Sequence, residues 1–257
     1  MNKELKNHIN ETLKSGIRLD GRKLDEFRPI TIEKGLIGTA EGSAKVICGE
    51  TEIIAGIKMD LGTPYSDSPD EGVLMVGTEL SPLSNPDFES GPPSIESIED
   101  SRVIDRGIRE SGAIDTKSLC VKAGEKVWIV NADICPINHN GNLIDLGSLA
   151  TIAALQDTKI PEIVDEVVDY KNKGSKGLKI NQLPIAITIV KIGDNLLVDP
   201  TYQEMQAADA RLTVTSLEDG RLCAMQKGED SPLTIKDIES MIDLAIVKGK
   251  ELRALLK

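Results

Sequence analysis

Residues 143 to 156 read Leu-Ile-Asp-Leu-Gly-Ser-Leu-Ala-Thr-Ile-Ala-Ala-Leu-Gln, a stretch with one charge and no Pro. It predicts a helix of about four turns that is apolar nearly all round. Such a helix has no broad face to offer water. Its small residues, Gly147, Ser148, Ala150, Ala153 and Ala154, suit close packing inside a domain. The lone charge, Asp145, is expected to cap or pack there. The rest of the chain must therefore supply layers to surround this segment, and its pattern is rich in short strands.

Ile30-Thr-Ile32, Ala44-Lys-Val-Ile47 and Ile53-Ile-Ala-Gly-Ile57 are β-branched, apolar and divided by Gly35, Gly38, Gly42 and Gly49, which reads as a meander. Gly72 to Leu80 reads as a further strand, and Leu119-Cys-Val121 with Val127-Trp-Ile-Val130 as a strand pair. A loop is expected from Pro136 to Asn142. Two hairpins follow, 185–190 with 195–198 and 212–215 with 222–225. Helices are expected at 1–14, where Leu5, Ile9 and Leu13 share a face, at 94–112 after the N-cap Ser94, and at 233–256. In the last helix Ile235, Ile238, Ile242, Ala245 and Ile246 form one stripe. Lys171 to Lys179 holds four lysines and reads as a mobile basic loop. No low-complexity linker divides the chain. The expectation is an α+β fold, mixed sheets packed with helices, in a single compact domain over 1–257 with a helical N-terminal extension at 1–17.

The 257 residues carry 30 Lys and Arg against 42 Asp and Glu, a formal net charge of -12. A pI near 4.8 speaks against a conventional basic nucleic-acid binder. One Trp, three Tyr and two Phe are too few for an aromatic base-stacking platform. No apolar run approaches the roughly 20 residues that span a bilayer, and the polar N-terminus is not a secretory signal. Four cysteines, Cys48, Cys120, Cys135 and Cys223, lie far apart, which excludes a disulfide framework or structural zinc and fits a reduced cytoplasm.

The charge is unevenly spread. Residues 60 to 100 hold ten acidic residues, six of the twelve prolines and no Lys or Arg, with long loops expected at 62–71 and 81–93. This segment reads as a solvated acidic surface or as a docking surface for a basic partner. Arg102, Arg106 and Arg109 follow at once, on one face of the 94–112 helix. Either they are salt-bridged surface, Asp105 pairing with Arg102 or Arg109 and Glu99 with Arg102, or they clamp phosphodiesters. His139 is a lone loop histidine. Asp194, Asp199 and Asp209 lie near strand ends, where carboxylates can bind magnesium or act as acid and base, although scattered surface aspartates are commoner. No Ser–His–Asp arrangement or metal cluster emerges, so no metal and no cofactor is expected.

An ordered set of segments from Arg18 to the final helix resembles the RNase PH family. It comprises Arg18-Leu-Asp-Gly-Arg-Lys23, Arg28-Pro-Ile30, Ala40-Glu-Gly-Ser-Ala44, Gly49-Glu-Thr51, Arg102 through Gly112, Val130-Asn-Ala-Asp133, Leu146-Gly-Ser-Leu-Ala150 and Val198-Asp-Pro-Thr201. Within that family the chain is most similar to the non-catalytic RNase PH-like subunits of archaeal exosome cores, hallmarked here by Arg-Glu-Ser-Gly-Ala-Ile-Asp115.

The resemblance implies an RNase PH-like fold and a place in 3′→5′ phosphorolysis, where inorganic phosphate attacks the terminal phosphodiester of RNA. Active members carry Gly, then Ser or Thr, then Arg at the start of the apolar helix. Here the triplet is Gly141-Asn142-Leu143, which offers no cation for the attacking phosphate. Asp209 falls near the family's catalytic aspartate but lacks that cradle, so the chain is expected to have no catalytic residue of its own. The resemblance assigns Arg102 and Arg106 to RNA backbone and leaves Arg109 open. It also implies an alternating hexameric ring with a catalytic RNase PH-like subunit, RNA-binding cap proteins as separate partners, and a single-stranded RNA 3′ end as substrate, away from membranes. Two alternatives stand beside this reading. One is a self-sufficient phosphorolytic ribonuclease using Asp209; the other is an interaction subunit without RNA contact.

Overall fold

The computed structural model describes residues 3–171 and 174–257, so part of the expected basic loop, Asn172 and Lys173, lies outside the described residues. In chain order the elements are α1 (Lys3–Leu13), β1 (Ile30–Lys34), β2 (Gly42–Cys48), β3 (Thr51–Gly62), β4 (Val73–Thr78), α2 (Ile95–Glu110), a 3₁₀ turn at Thr116–Leu119, β5 (Cys120–Lys122), β6 (Lys126–Asn138) and α3 (Leu143–Asp157). Then follow β7 (Glu162–Val164), β8 (Val167–Asp169), β9 (Ile185–Ile192), β10 (Asn195–Val198), α4 (Tyr202–Ala207), β11 (Ala210–Ser216), β12 (Leu222–Gly228) and α5 (Ile235–Ala254).

Period-two alternation builds the larger sheet. Alternate residues of β3 from Thr51 to Met59 are buried, so one face of this long strand belongs to the core. Its order is β1-β2-β3-β6-β4, with β5 also pairing β6. The β4–β6 pair is parallel and the others antiparallel, which makes the sheet mixed. The smaller sheet runs β10-β9-β11-β12, all antiparallel, and β7 and β8 form a separate hairpin.

Helix α3 lies between the sheets, touching β1, β2, β3 and β6 on one side and β9 on the other. Every residue from Leu143 to Leu155 is buried, as its composition demands. Its last turn presses on β2 so tightly that a Cβ on Gly42 would lie 2.3 Å from Thr158 Oγ1. Helix α2 packs beside α3, against β4 and β12. The opposite face of the smaller sheet is covered by α5. Strand alternation makes the point: Gly107 of α2 abuts Thr215, whereas Gly249 of α5 abuts the next residue, Ser216. The layers are therefore sheet, helices, sheet, helix. Helix α1 places Ile9 and Leu13 against Val190, Ile192, Leu197 and Ala207 in a satellite cluster.

Two expectations are corrected. The loop expected from Pro136 is strand as far as Asn138, because β6 runs the length of β3 and meets Pro136 at a register shift, where a missing N–H is tolerated. Ile235 is exposed; the buried stripe of α5 is Met241, Ala245, Gly249 and Leu252.

Candidate functional site

Helix α2 begins as its sequence requires. Ser94 Oγ accepts a hydrogen bond from the Ser97 N–H at 3.1 Å, and Glu96 sits in the first turn. Val103, Ile104, Gly107 and Ile108 face the core, which turns Arg102, Arg106 and Arg109 outward. Their surroundings then separate them. The Arg109 guanidinium donates to both Asp105 oxygens, at 2.7 and 3.0 Å, and to the Leu74 carbonyl at 2.9 Å. Asp105 also holds it more basic than an ordinary arginine. Arg106 lies 3.5 Å from Glu110 with both side chains largely exposed, a pairing worth little in water. The Arg102 side chain makes no ion pair or hydrogen bond among the described residues. Its expected partner Glu99 turns instead to Arg211, at 2.6 Å. Of three arginines, one is tied into the surface and two are available.

The loop into α3 is shaped by backbone. Gly141 has φ 91° and Asn142 has φ 62°, both left-handed, and a Cβ on Gly141 would lie 2.2 Å from the Pro200 carbonyl oxygen. Asn142 occupies the N-cap position but makes no side-chain cap. Its Nδ2 donates to Asp199 at 2.9 Å. Leu143 faces a cavity of about 430 Å³ whose lining includes Asp87, Glu96, Glu99, Asp100 and Glu229. Arg211 is the single cation in that lining, and Glu99 already occupies it. Burial pushes the Asp100 carboxyl up to about 7; Arg211 opposes that rise, and Glu99 and Glu96 add to it. Burial, then Arg28, lowers His139 to about 4, so its imidazole is neutral near pH 7. The ring stacks on Phe88 and meets Tyr202 edge-on. A phosphate brought here would face carboxylates where the chemistry needs cations.

Asp209 does not line this cavity. Its carboxylate accepts from Lys6 at 2.7 Å and from the Gly193 N–H at 2.7 Å. Partial burial raises its pKa, but the Lys6 and Gly193 hydrogen bonds outweigh that and leave it below the ordinary carboxylate range. Asp194 is exposed.

Asp199 is fully buried at the centre of an ion network. Arg28 donates to both its oxygens, through Nη2 at 2.6 Å and Nε at 2.8 Å, and Arg22 Nη1 reaches it at 2.8 Å. Burial alone would raise this carboxyl; hydrogen bonds and charge from Arg28, then charge from Arg22, hold it below its ordinary value. Next to it, buried Arg18 grips Glu204 through two nitrogens and donates to the Val198 and Asp199 carbonyls. Sequence reasoning missed this network as a unit, although Arg18, Arg22, Arg28 and Asp199 sit in segments that carried the resemblance, 18–23, 28–30 and 198–201; Glu204 lies just beyond the last of them. No cluster of three or more His, Cys, Asp or Glu side chains among the described residues is arranged to hold a metal ion.

Comparison with known proteins identifies the family. Residues 26–161 match the 3′ exoribonuclease family model for domain 1, and residues 182–248 match that for domain 2. The exosome complex component Rrp42 of Methanopyrus kandleri is 46% identical over 247 residues, which cover 95% of this chain and 92% of that protein. Rrp42 of Thermoplasma acidophilum is 45% identical, over 96% and 93% of the two chains. A chain from the Archaeoglobus fulgidus exosome with RNA bound to the active site superposes with a TM-score of 0.92 at 42% identity, covering 99% of this chain and 98% of that one. No helix among the described residues is long and apolar enough to cross a membrane. Two family models that together match most of the sequence, and relatives more than 40% identical over nearly the whole of it, place the chain in the RNase PH, or 3′ exoribonuclease, family.

Proposed function

We propose that this chain is a structural, RNA-positioning subunit of an archaeal exosome, a 3′→5′ phosphorolytic ring in the cytoplasm, and that it has no catalytic centre of its own. In this reading residues 1–257 act as one domain that alternates with a catalytic RNase PH-like subunit in a hexameric ring, beneath RNA-binding cap proteins. Arg102 and Arg106 hold the backbone of single-stranded RNA as its 3′ end enters the partner's site. The observation that carries the proposal is the pairing on α2: Arg109 is taken by Asp105, while among the described residues the Arg102 side chain has no partner and Arg106 only a long exposed one. The acidic cavity beside Leu143 supports the absence of phosphorolysis, since the site lacks a free cation for the attacking anion. The likeness to Rrp42 proteins over most of both chains supports the assembly.

A salt titration tests the RNA role. Each backbone contact to a single strand contributes about 0.7 to the slope of log affinity against log salt. In the assembled complex, Arg102→Ala with Arg106→Ala is expected to lower that slope by about 1.4 for an oligoadenylate. An unchanged slope and affinity would remove both arginines from the RNA path.

A further inference from the structure

Single-stranded RNA is gripped through its bases as well as its phosphates, and Arg102 and Arg106 offer contacts to phosphate alone. Holding a base requires an open aromatic face. Of the six aromatic side chains, five are occupied. Trp128 is 6% exposed, and Phe27 packs against the core. Phe88 stacks on His139, and Tyr202 meets that imidazole edge-on. Tyr170 has Lys58 Nζ over its ring, 4.9 Å from the centroid. Tyr65 differs from all of these. It is 59% exposed, and its side chain makes no ring contact and no hydrogen bond among the described residues.

The loop at 63–72 that carries Tyr65 joins β3 to β4 and is tied down on both sides. The Tyr65 carbonyl accepts from the Ser68 N–H, and the Ser68 carbonyl from the Glu71 N–H, both at 3.2 Å. The Gly124 N–H donates to the Pro69 carbonyl at 2.7 Å, and the Gly72 N–H to the Thr116 carbonyl at 2.9 Å. The ring is therefore presented by an ordered backbone, which lowers the cost of fixing a ligand against it. Its place is at the end of the arginine face of α2. Arg109 holds the Leu74 carbonyl, two residues past the loop, at 2.9 Å. Tyr65 is near enough to act electrostatically on that same guanidinium. Arg106 lies about one turn back along the helix. Asp67 and Asp70, on the same loop, have no ion pair among the described residues and repel phosphate. A strand that follows the arginines can thus meet the loop through a base and not through its backbone.

We propose that Tyr65 stacks on one base of the RNA strand whose backbone Arg102 and Arg106 hold. This contact rests on the RNA-positioning role of α2 and deepens it. Every base has a π-face, so stacking tolerates any sequence, as a strand degraded from its 3′ end requires. It also adds affinity without an ionic contact. The ring supplies a hold that salt does not weaken, which the arginines cannot do.

The test measures the affinity of the assembled complex for oligoadenylate over a range of salt. Tyr65→Ala is expected to weaken binding by at least about fivefold and to leave the salt slope unchanged. Tyr65→Phe keeps the ring and should bind within about twofold of the unaltered complex. On an abasic strand of the same length, Tyr65→Ala should have no effect, because there is no base to stack. Unchanged affinity in Tyr65→Ala, alongside a loss in Arg102→Ala with Arg106→Ala, would overturn the stacking contact and leave the arginine reading standing. No effect from either set of substitutions would remove both. An equal loss in Tyr65→Phe, or an equal loss on the abasic strand, would overturn stacking as well. Failure of the Tyr65→Ala ring to assemble would assign the residue to a subunit contact, which also overturns it.

Discussion

Removing the Asp199 carboxylate would strand the charges gathered around it. Arg28 and Arg22 would keep buried guanidiniums without their acceptor, and Asn142 would lose the partner that holds the loop before α3. Breaking a buried pair by deleting one member costs about 3–5 kcal/mol. Asp199→Ala should therefore lose stability of that order in a urea titration, whereas Arg109→Ala, at an exposed pair, should change it by about 1 kcal/mol or less. Asp145 works in the opposite sense. It is completely buried in α3, neither oxygen has a hydrogen bond of ordinary geometry, and burial pushes its carboxyl up to about 7. A carboxyl raised above its unfolded value of about 4 binds its proton more tightly in the folded state. Stability from this group is thus greatest below pH 4, declines as pH rises toward 7, and stays low above it. Asp145→Asn should raise the melting temperature more at pH 8 than at pH 5; an equal change at both would mean that Asp145 is not the titrating group.

Among elements, the turn into α3 is the least tolerant. Gly141→Ala places a Cβ against the Pro200 backbone in a left-handed conformation, and a loss of about 1–3 kcal/mol is expected from thermal melting. Leu143→Arg restores a cation at the helix start, yet it would be captured by the carboxylates of the cavity. It is expected to produce no phosphorolysis in the isolated chain, measured as nucleoside diphosphate release. Helix α3 was legible because an all-apolar run has one physical solution, and α2 because Ser94 and its charge gradient mark its start. The hairpins around Gly193 and Gly220 were legible from alternation and turn residues. Less was legible where a partner distant in sequence decides. The continuation of β6 through Pro136 depends on β3. Short α4 shows little periodicity and is held by the Thr201–Glu204 capping box and by Arg18. The pairing of Arg28 with Asp199 spans 171 positions, and no local pattern announces it. The candidate site was half visible: spacing put three arginines on one face, but only the fold reveals that Glu99 turns to Arg211 and leaves Arg102 without an ion pair among the described residues.

At the scale of the whole molecule, the net charge of -12 resolves into two surfaces of opposite charge. Carboxylates line the groove and cavity between the loop at 79–94, α2 and α3, whereas the outward face of α2 carries the available arginines. An acidic protein can hold an RNA backbone through a local cationic stripe, while its overall charge keeps free-standing affinity low. That division suits a chain that handles RNA only beside a catalytic partner. The central claim is tested most directly by following phosphate-dependent release of nucleoside diphosphate from labelled oligoadenylate. The chain alone should release none, and the reconstituted ring should be active. A properly formed ring bearing Arg102→Glu with Arg106→Glu should lose at least about tenfold in rate. Release by the chain alone, or an unimpaired rate in the doubly substituted ring, would contradict the account.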